Sequence, residues 1–272
     1  MYEVKVLCLR NNLLTKIENI LPIKSIEDLD LYDNQITEIE NLECLTGITN
    51  LDLSFNRIRE IQNLAHLTTL KRLYLVNNKI EKIQNLDQLV ALVLLELGAN
   101  RIRVIENLGS LVNLKHLYFG KNKIRKIENL DALVNLELIS IQANRLTKIE
   151  NLSSLSNLKE LYLSDNGLTK IEGLEPLIHL VTLDLAMNKI SVIENISHLE
   201  KLEEFWFNDN EVSEWKQIEK LRALPKLVTL YMERNLIWYS DSTKTGTNAD
   251  YRRKILLTLP TLVQLDADLT GK

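Results

Sequence analysis

The chain is 272 residues long, with 45% hydrophobic residues, a formal net charge of −4 and a pI near 5.7. That balance is enough for an extended core and argues against nucleic-acid binding, which needs a basic face. No apolar run is long enough to span a bilayer, and the opening MYEVKVLCLR lacks the charged-then-apolar pattern of a secretion signal. The two cysteines, Cys8 and Cys44, have neither metal-ligand nor disulfide-framework spacing, which points to a reducing compartment and an expected nuclear and cytoplasmic location.

From the first residues onward the chain repeats itself. Asparagine recurs at Asn12, Asn34, Asn56, Asn78, Asn100, Asn122, Asn144, Asn166, Asn188 and Asn210, always 22 residues apart, and Asn235 follows after 25. Each asparagine ends a segment such as Ile48-x-x-Leu51-x-Leu53-x-x-Asn56-x-Ile58. This spacing resembles the leucine-rich repeat. Side chains alternate along a strand, so Leu51 and Leu53 point one way and Asp52 the other. One such strand cannot bury its apolar side alone, whereas stacked copies share a core. The expected fold is an α/β solenoid: a right-handed superhelix with a curved parallel sheet on the concave face and short 3-10 or helical turns on the convex face. The asparagine amides are predicted to satisfy the backbone of the inward turn as a ladder.

Between strands the return path carries Ile, Ile and Leu at fixed offsets, as at Ile102, Ile105 and Leu108. The string I-E-N-[L/I] begins at Ile17, Ile39, Ile105, Ile127, Ile149 and Ile193, and its asparagine is expected to cap a short turn. Residues 1–237 read as eleven repeats, and residues 238–272 as a polar loop followed by a C-terminal cap. WYSDSTKTGTNAD (238–250) is expected to be a mobile loop, and the amphipathic stretch from Tyr251 to Asp266 to shield the last repeat. The chain starts inside a strand with no cap, which leads to the expectation that the natural protein begins earlier.

Nothing in the sequence predicts catalysis or a cofactor. His66, His116, His179 and His198 lack partners at nucleophile or metal spacing, repeat position explains each, and the eight glycines are scattered rather than gathered in a phosphate loop. The informative column lies between the inward leucines. It reads Cys8, Asp30, Asp52, Tyr74, Glu96, Tyr118, Ser140, Tyr162, Asp184, Trp206 and Tyr231. Five are aromatic in a chain where aromatics are 6%, four are acids and none is basic. Strand propensity and mutual stacking account for some aromatic enrichment but not for the interleaved acids. The column is expected to be exposed and to bind a protein with a basic patch, because Tyr and Trp serve as binding anchors. Asp28, Asp33, Glu160, Glu204 and Glu233 extend its acidity, while Arg72, His116 and Lys121 interrupt it.

The strings LYDNQI (31–36), LDLSFNRI (51–58), LVNNKI (75–80), LELGANRIRVIEN (95–107), GKNKI (120–124), ENISHL (194–199), EEFWFNDN (203–210) and YRRK (251–254) resemble the leucine-rich-repeat regulatory subunit of protein phosphatase type one. The resemblance implies a non-catalytic subunit that binds the phosphatase catalytic subunit through its concave face, with room for a third regulatory protein. It places the contacts at Asp52, Tyr74, Glu96, Tyr118, Asp184, Glu204, Trp206 and Tyr231, to which the aromatic column adds Tyr162. Tyr74 and Tyr118 stand where that family usually has phenylalanine, the family's acidic N-terminal extension and first repeat are missing, and the loop before Tyr251 is longer. No Phe or Trp has Val or Ile two residues before it, so the short docking string of many phosphatase partners is absent. The other reading is a structural adaptor of the same repeat type in a cytoskeletal or axonemal assembly.

Overall fold

The repeating L-x-L segments become three-residue strands, most of them holding one fully buried side chain between two partly covered ones. The computed structural model of the protein describes residues 4–20 and 25–271, and the chain divides into two units, residues 1–144 and 145–272. The first unit contains β1 (Val6–Cys8), β2 (Asp28–Asp30), β3 (Asn50–Asp52), β4 (Arg72–Tyr74), β5 (Leu94–Glu96), β6 (His116–Tyr118) and β7 (Leu138–Ser140). These pair in sequence order, all parallel, with Leu29, Leu51, Leu73, Leu95, Leu117 and Ile139 in one register. Every member of that row is fully buried.

The second unit contains β8 (Glu160–Tyr162), β9 (Thr182–Asp184), β10 (Glu204–Trp206) and β11 (Thr229–Tyr231), again parallel and in order. Its cap consists of β12 (Gln264–Leu265), parallel to β11, and β13 (Asp268–Leu269), which turns back antiparallel. Two short helices occur here, α1 (Lys216–Glu219) and α2 (Tyr251–Thr258). The three extra residues before Asn235 coincide with α1 and the 3-10 turn Lys220–Ala223 that follows it. Both units are parallel β-solenoids with little helix, as the repeat predicts.

The asparagine ladder forms as expected. The Nδ2 of Asn100 donates to the carbonyls of Leu75 (2.8 Å), Leu97 (3.1 Å) and Gly98 (3.1 Å), while its Oδ1 accepts from the Ile80 N–H at 3.0 Å. Asn34, Asn56, Asn78, Asn122, Asn188 and Asn210 are likewise buried. The return path is a pair of 3-10-type bonds per repeat, for example Leu67 N–H to Leu64 O and Leu70 N–H to Leu67 O.

The I-E-N asparagines differ from expectation. They are not caps. Asn41, Asn63, Asn85, Asn107, Asn129, Asn151 and Asn195 adopt left-handed φ values of 55° to 59°, a region that asparagine tolerates better than most residues. The Nδ2 groups of Asn41, Asn63, Asn85, Asn107, Asn129 and Asn195 reach the preceding turn instead, as in Asn107 to Ile83 O at 2.8 Å. The 238–250 segment also has more order than a plain loop. A 3-10 turn spans Leu236–Trp238, a bridge pairs Tyr239 with Thr247, and Ser240 N–H donates to Gly246 O at 2.9 Å. The cap is pinned by Asp266, whose Oδ1 accepts from the N–H groups of Met232 (2.7 Å) and Glu233 (2.9 Å) and whose Oδ2 accepts from the Tyr251 hydroxyl (3.0 Å).

Candidate binding faces of the two units

Alternation along each strand puts one residue per repeat opposite the leucine core, and the register stacks these residues into a row. In the first unit the row contains Asp30, Asp52, Tyr74, Glu96, Tyr118 and Ser140, with successive members paired. These side chains are half-buried rather than exposed, and Ser140 is only 6% exposed. The alternation gives direction only. Neighbouring strands lie about 4.8 Å apart, so large side chains in a row cover one another's flanks.

That partial burial alters the chemistry of the acids. Burial pushes the Asp52 carboxyl above its ordinary value, with Asp30 adding to the rise and the Ser54 N–H, at 2.8 Å from Oδ1, opposing it. Glu96 is raised by burial and then by Asp52, and the Tyr74 phenol is raised chiefly by burial. An acid in this state gains from a cation placed against it. Beside Asp52 lies a polar cavity of about 330 Å³ lined by Arg10, Asp28, Asp30, Asn50, Arg72 and Tyr74. Its cations are engaged: Arg10 Nε donates to Asp30 at 2.7 Å, and Arg72 Nη1 to Asn50 Oδ1 at 3.2 Å. Asn50 in turn donates to Asp28 at 2.9 Å.

In the second unit Tyr162, Asp184, Trp206 and Tyr231 form the row, and Glu160 and Glu204 stand two residues earlier on their strands. Tyr162 and Trp206 meet edge-on with ring centroids 6.1 Å apart, and Trp206 and Tyr231 with centroids 5.7 Å apart. Asp184, in register between Tyr162 and Trp206, is 1% exposed, against the expectation of exposure. Its Oδ1 accepts from the Ala186 N–H at 3.0 Å. It therefore helps to hold the turn after the strand and is not presented to solvent.

The remaining members stay accessible. The Tyr162 hydroxyl donates to Glu160 at 2.7 Å, and burial with this acidic neighbour raises the phenol's pKa. Gln264 from the cap donates to the Tyr231 hydroxyl at 2.6 Å. The Trp206 Nε1 is buried without an acceptor among the described residues. Glu233 contributes less acidity than expected. Arg234 pairs with it and makes two bonds to Asp209, of 2.6 and 2.9 Å. The sequence reading did not single out Arg234 or the Tyr32–Phe55 ring contact at 4.9 Å.

Two of the histidines carry the same structural bond. The Nε2 atoms of His66 and His198 lie 2.9 Å from the carbonyls of Leu42 and Leu174, the same contact 132 residues apart. Among the described residues no group of three or more His, Cys, Asp or Glu could hold a metal ion, and no helix is long and apolar enough to cross a membrane.

Comparison with known proteins agrees with the fold. The leucine-rich-repeat family model matches residues 4–117 and 93–186. No curated protein sequence matches the chain. Among solved structures, a leucine-rich-repeat protein of Leptospira interrogans is similar with a TM-score of 0.76 at 24% identity, covering 96% of this chain and 72% of that one. The InlJ functional domain of Listeria monocytogenes gives a TM-score of 0.73 at 22% identity, covering 96% of this chain and 62% of that one. An internalin of Listeria monocytogenes, inlF, gives 0.64 at 22% identity, covering 97% of this chain and 87% of that one. These likenesses concern the fold. With the family model matched over most of its length, the chain belongs to the leucine-rich-repeat family, whose solenoid is a scaffold for binding other proteins.

Proposed function

We propose that the protein is a non-catalytic regulatory subunit that binds the catalytic subunit of a type-one Ser/Thr protein phosphatase through the strand rows of its two units. The observation that carries the reading is the Tyr162–Trp206–Tyr231 cluster bordered by Glu160 and Glu204. It offers rigid aromatic area beside carboxylates, the combination expected for a partner with a basic patch. Asp52, Tyr74, Glu96 and Tyr118 of the first unit supply the same mixture of rings and acids, with the two acids held at raised pKa. The partner's identity is supported by the resemblance of strings such as EEFWFNDN and YRRK, and with it come the nuclear and cytoplasmic location and room for a third regulatory protein. Asp184 acts in this reading by fixing the turn beside Trp206.

Capture of purified phosphatase catalytic subunit by the immobilised protein tests the proposal. Wild type retains the catalytic subunit, whereas Trp206→Ala and Glu204→Ala do not. Equal retention by all three would remove the residue assignment, and no retention by wild type would remove the partner.

A further inference from the structure

We propose that a groove beside the C-terminal cap of the second unit docks a short acidic segment of a partner protein, one leucine or phenylalanine of which fills the groove while a neighbouring Asp or Glu pairs with Arg222. The groove encloses about 460 Å³ between two turns that carry the same string, Leu-Pro-x-Leu-Val, at 224–228 and 259–263. The turns stack because the strands that follow them, β11 and β12, pair in parallel, and the Val263 N–H donates to the Val228 carbonyl at 2.8 Å. Leu221, Leu224 and Leu259 are buried beneath the groove, while Pro225, Leu257 and Pro260 stand exposed along its sides.

The cap does not need this surface for its own packing. It closes the last repeat with Tyr251, Ile255, Leu259 and Leu262, none more than 6% exposed. Leu257 lies outside that packing, at 70% exposure on α2. The two prolines fix the backbone of the walls and bring no N–H to satisfy, so little order has to be imposed when a side chain enters.

The charge at the groove selects the occupant. Arg222 is itself one of the lining residues. Its Nε donates to the Thr258 carbonyl at the end of α2, at 3.1 Å, and the rest of the guanidinium has no partner among the described residues. Lys226, between the lining residues Pro225 and Leu227, has no side-chain bond or ion pair among them either. The other cations nearby are engaged. Lys220 Nζ donates to the Ile193 carbonyl and to Gln217, both at 2.8 Å, Lys254 lies 4.7 Å from the Trp215 ring centre, and Arg253 pairs with Asp250. No lining residue is acidic, and residues 220–228 and 251–263 hold no Asp or Glu in a chain of net charge −4. Glu219, the acid closest in sequence to Arg222, lies on α1 outside the lining. Apolar walls beside an open guanidinium fit a leucine or phenylalanine next to a carboxylate, whose two oxygens match the fork. A basic segment would meet Arg222 and Lys226 with like charge.

The groove is independent of the phosphatase reading, and fluorescence anisotropy separates the two. The probe is a short fluorescein-labelled peptide in which Asp and Glu alternate with Leu and Phe. Wild type binds it saturably, less tightly as salt rises. Leu257→Gln, which keeps a helix-forming residue at an exposed position, weakens binding about tenfold. The double variant Arg222→Gln with Lys226→Gln weakens it about tenfold or more. Lys226→Glu alone weakens binding without moving the urea midpoint, which separates a lost contact from a lost fold. Peptides with Asn and Gln in place of the acids, or with Ser in place of Leu and Phe, each bind about tenfold more weakly. Trp206→Ala binds the peptide as wild type does. The proposal is overturned if wild type gives no saturable binding, if Leu257→Gln or the double variant binds like wild type, if the Ser peptide binds as tightly as the Leu-Phe peptide, or if Trp206→Ala loses the peptide, which would put it on the strand row.

Discussion

Trp206 stands edge-on to Tyr231, ring centroids 5.7 Å apart and planes inclined by 63°, and its Nε1 is buried with no acceptor among the described residues. A preset ring pair loses little entropy on binding, which is why such residues dominate alanine scans of interfaces. Replacing Trp206 by Ala should therefore cost about 2 kcal/mol or more in affinity for the phosphatase catalytic subunit, close to a thirtyfold rise in Kd. Trp206→Phe keeps ring area and should lose clearly less. Isothermal titration of the three proteins checks this order, and an equal loss for Phe and Ala would mean that the indole N–H, not the ring area, makes the contact.

The acids of the first unit give binding a pH dependence of defined sign. Asp52 and Glu96 titrate above their ordinary values because burial penalises their charge. A basic partner requires the charged forms, so capture should weaken as pH falls through these raised values, earlier than ordinary surface carboxylates would dictate. Stability runs the other way. A folded-state pKa above the unfolded one contributes stability that is fully present below the unfolded pKa and is lost as pH rises through the folded value. Glu96→Gln should therefore raise the urea midpoint slightly near neutral pH and weaken capture together. Unfolding curves between about pH 4 and pH 7 test the first effect, and a lower midpoint for Glu96→Gln at neutral pH would contradict it.

The scaffold could be read from the sequence because each repeat buries the same positions: Leu95, Leu97 and Ile102 recur every 22 residues and are all fully buried. The site was only partly readable. Alternation indicates which way Asp184 points but not that Tyr162 and Trp206 flank it in register and leave it 1% exposed. Asn107 also looked like a cap, because a composition of Ser, Thr, Asp and Asn at turns does not reveal the sign of φ.

The ladder predicts a large stability effect at a single side chain. Asn100→Ala removes the acceptor of the Ile80 N–H and a donor to the Leu75 carbonyl, both in the core of the stack. A buried polar group left unpaired costs about 1 to 3 kcal/mol. The expected loss is therefore about 3 kcal/mol, read from urea unfolding. Asn144→Ala, at a less buried rung, should cost less.

The last prediction rests on one repeat that departs from the others. Where its neighbours have Ile-Glu-Asn, the eighth such string has Gly173, with φ of 68°. A Cβ there would lie 2.7 Å from the Ile149 carbonyl oxygen. Alanine meets both the left-handed backbone and that contact, so Gly173→Ala should lose about 1 to 2 kcal/mol. Asparagine meets the same strain but brings its own compensation. At the equivalent Asn107, Nδ2 donates to the Ile83 carbonyl at 2.8 Å, turning the crowded oxygen into a hydrogen-bond partner. Gly173→Asn should therefore be clearly milder than Gly173→Ala, although it is the larger substitution. Urea midpoints of the two variants decide it: if destabilisation follows side-chain size rather than bonding capacity, the I-E-N asparagine is tolerated in its turn without helping to hold it.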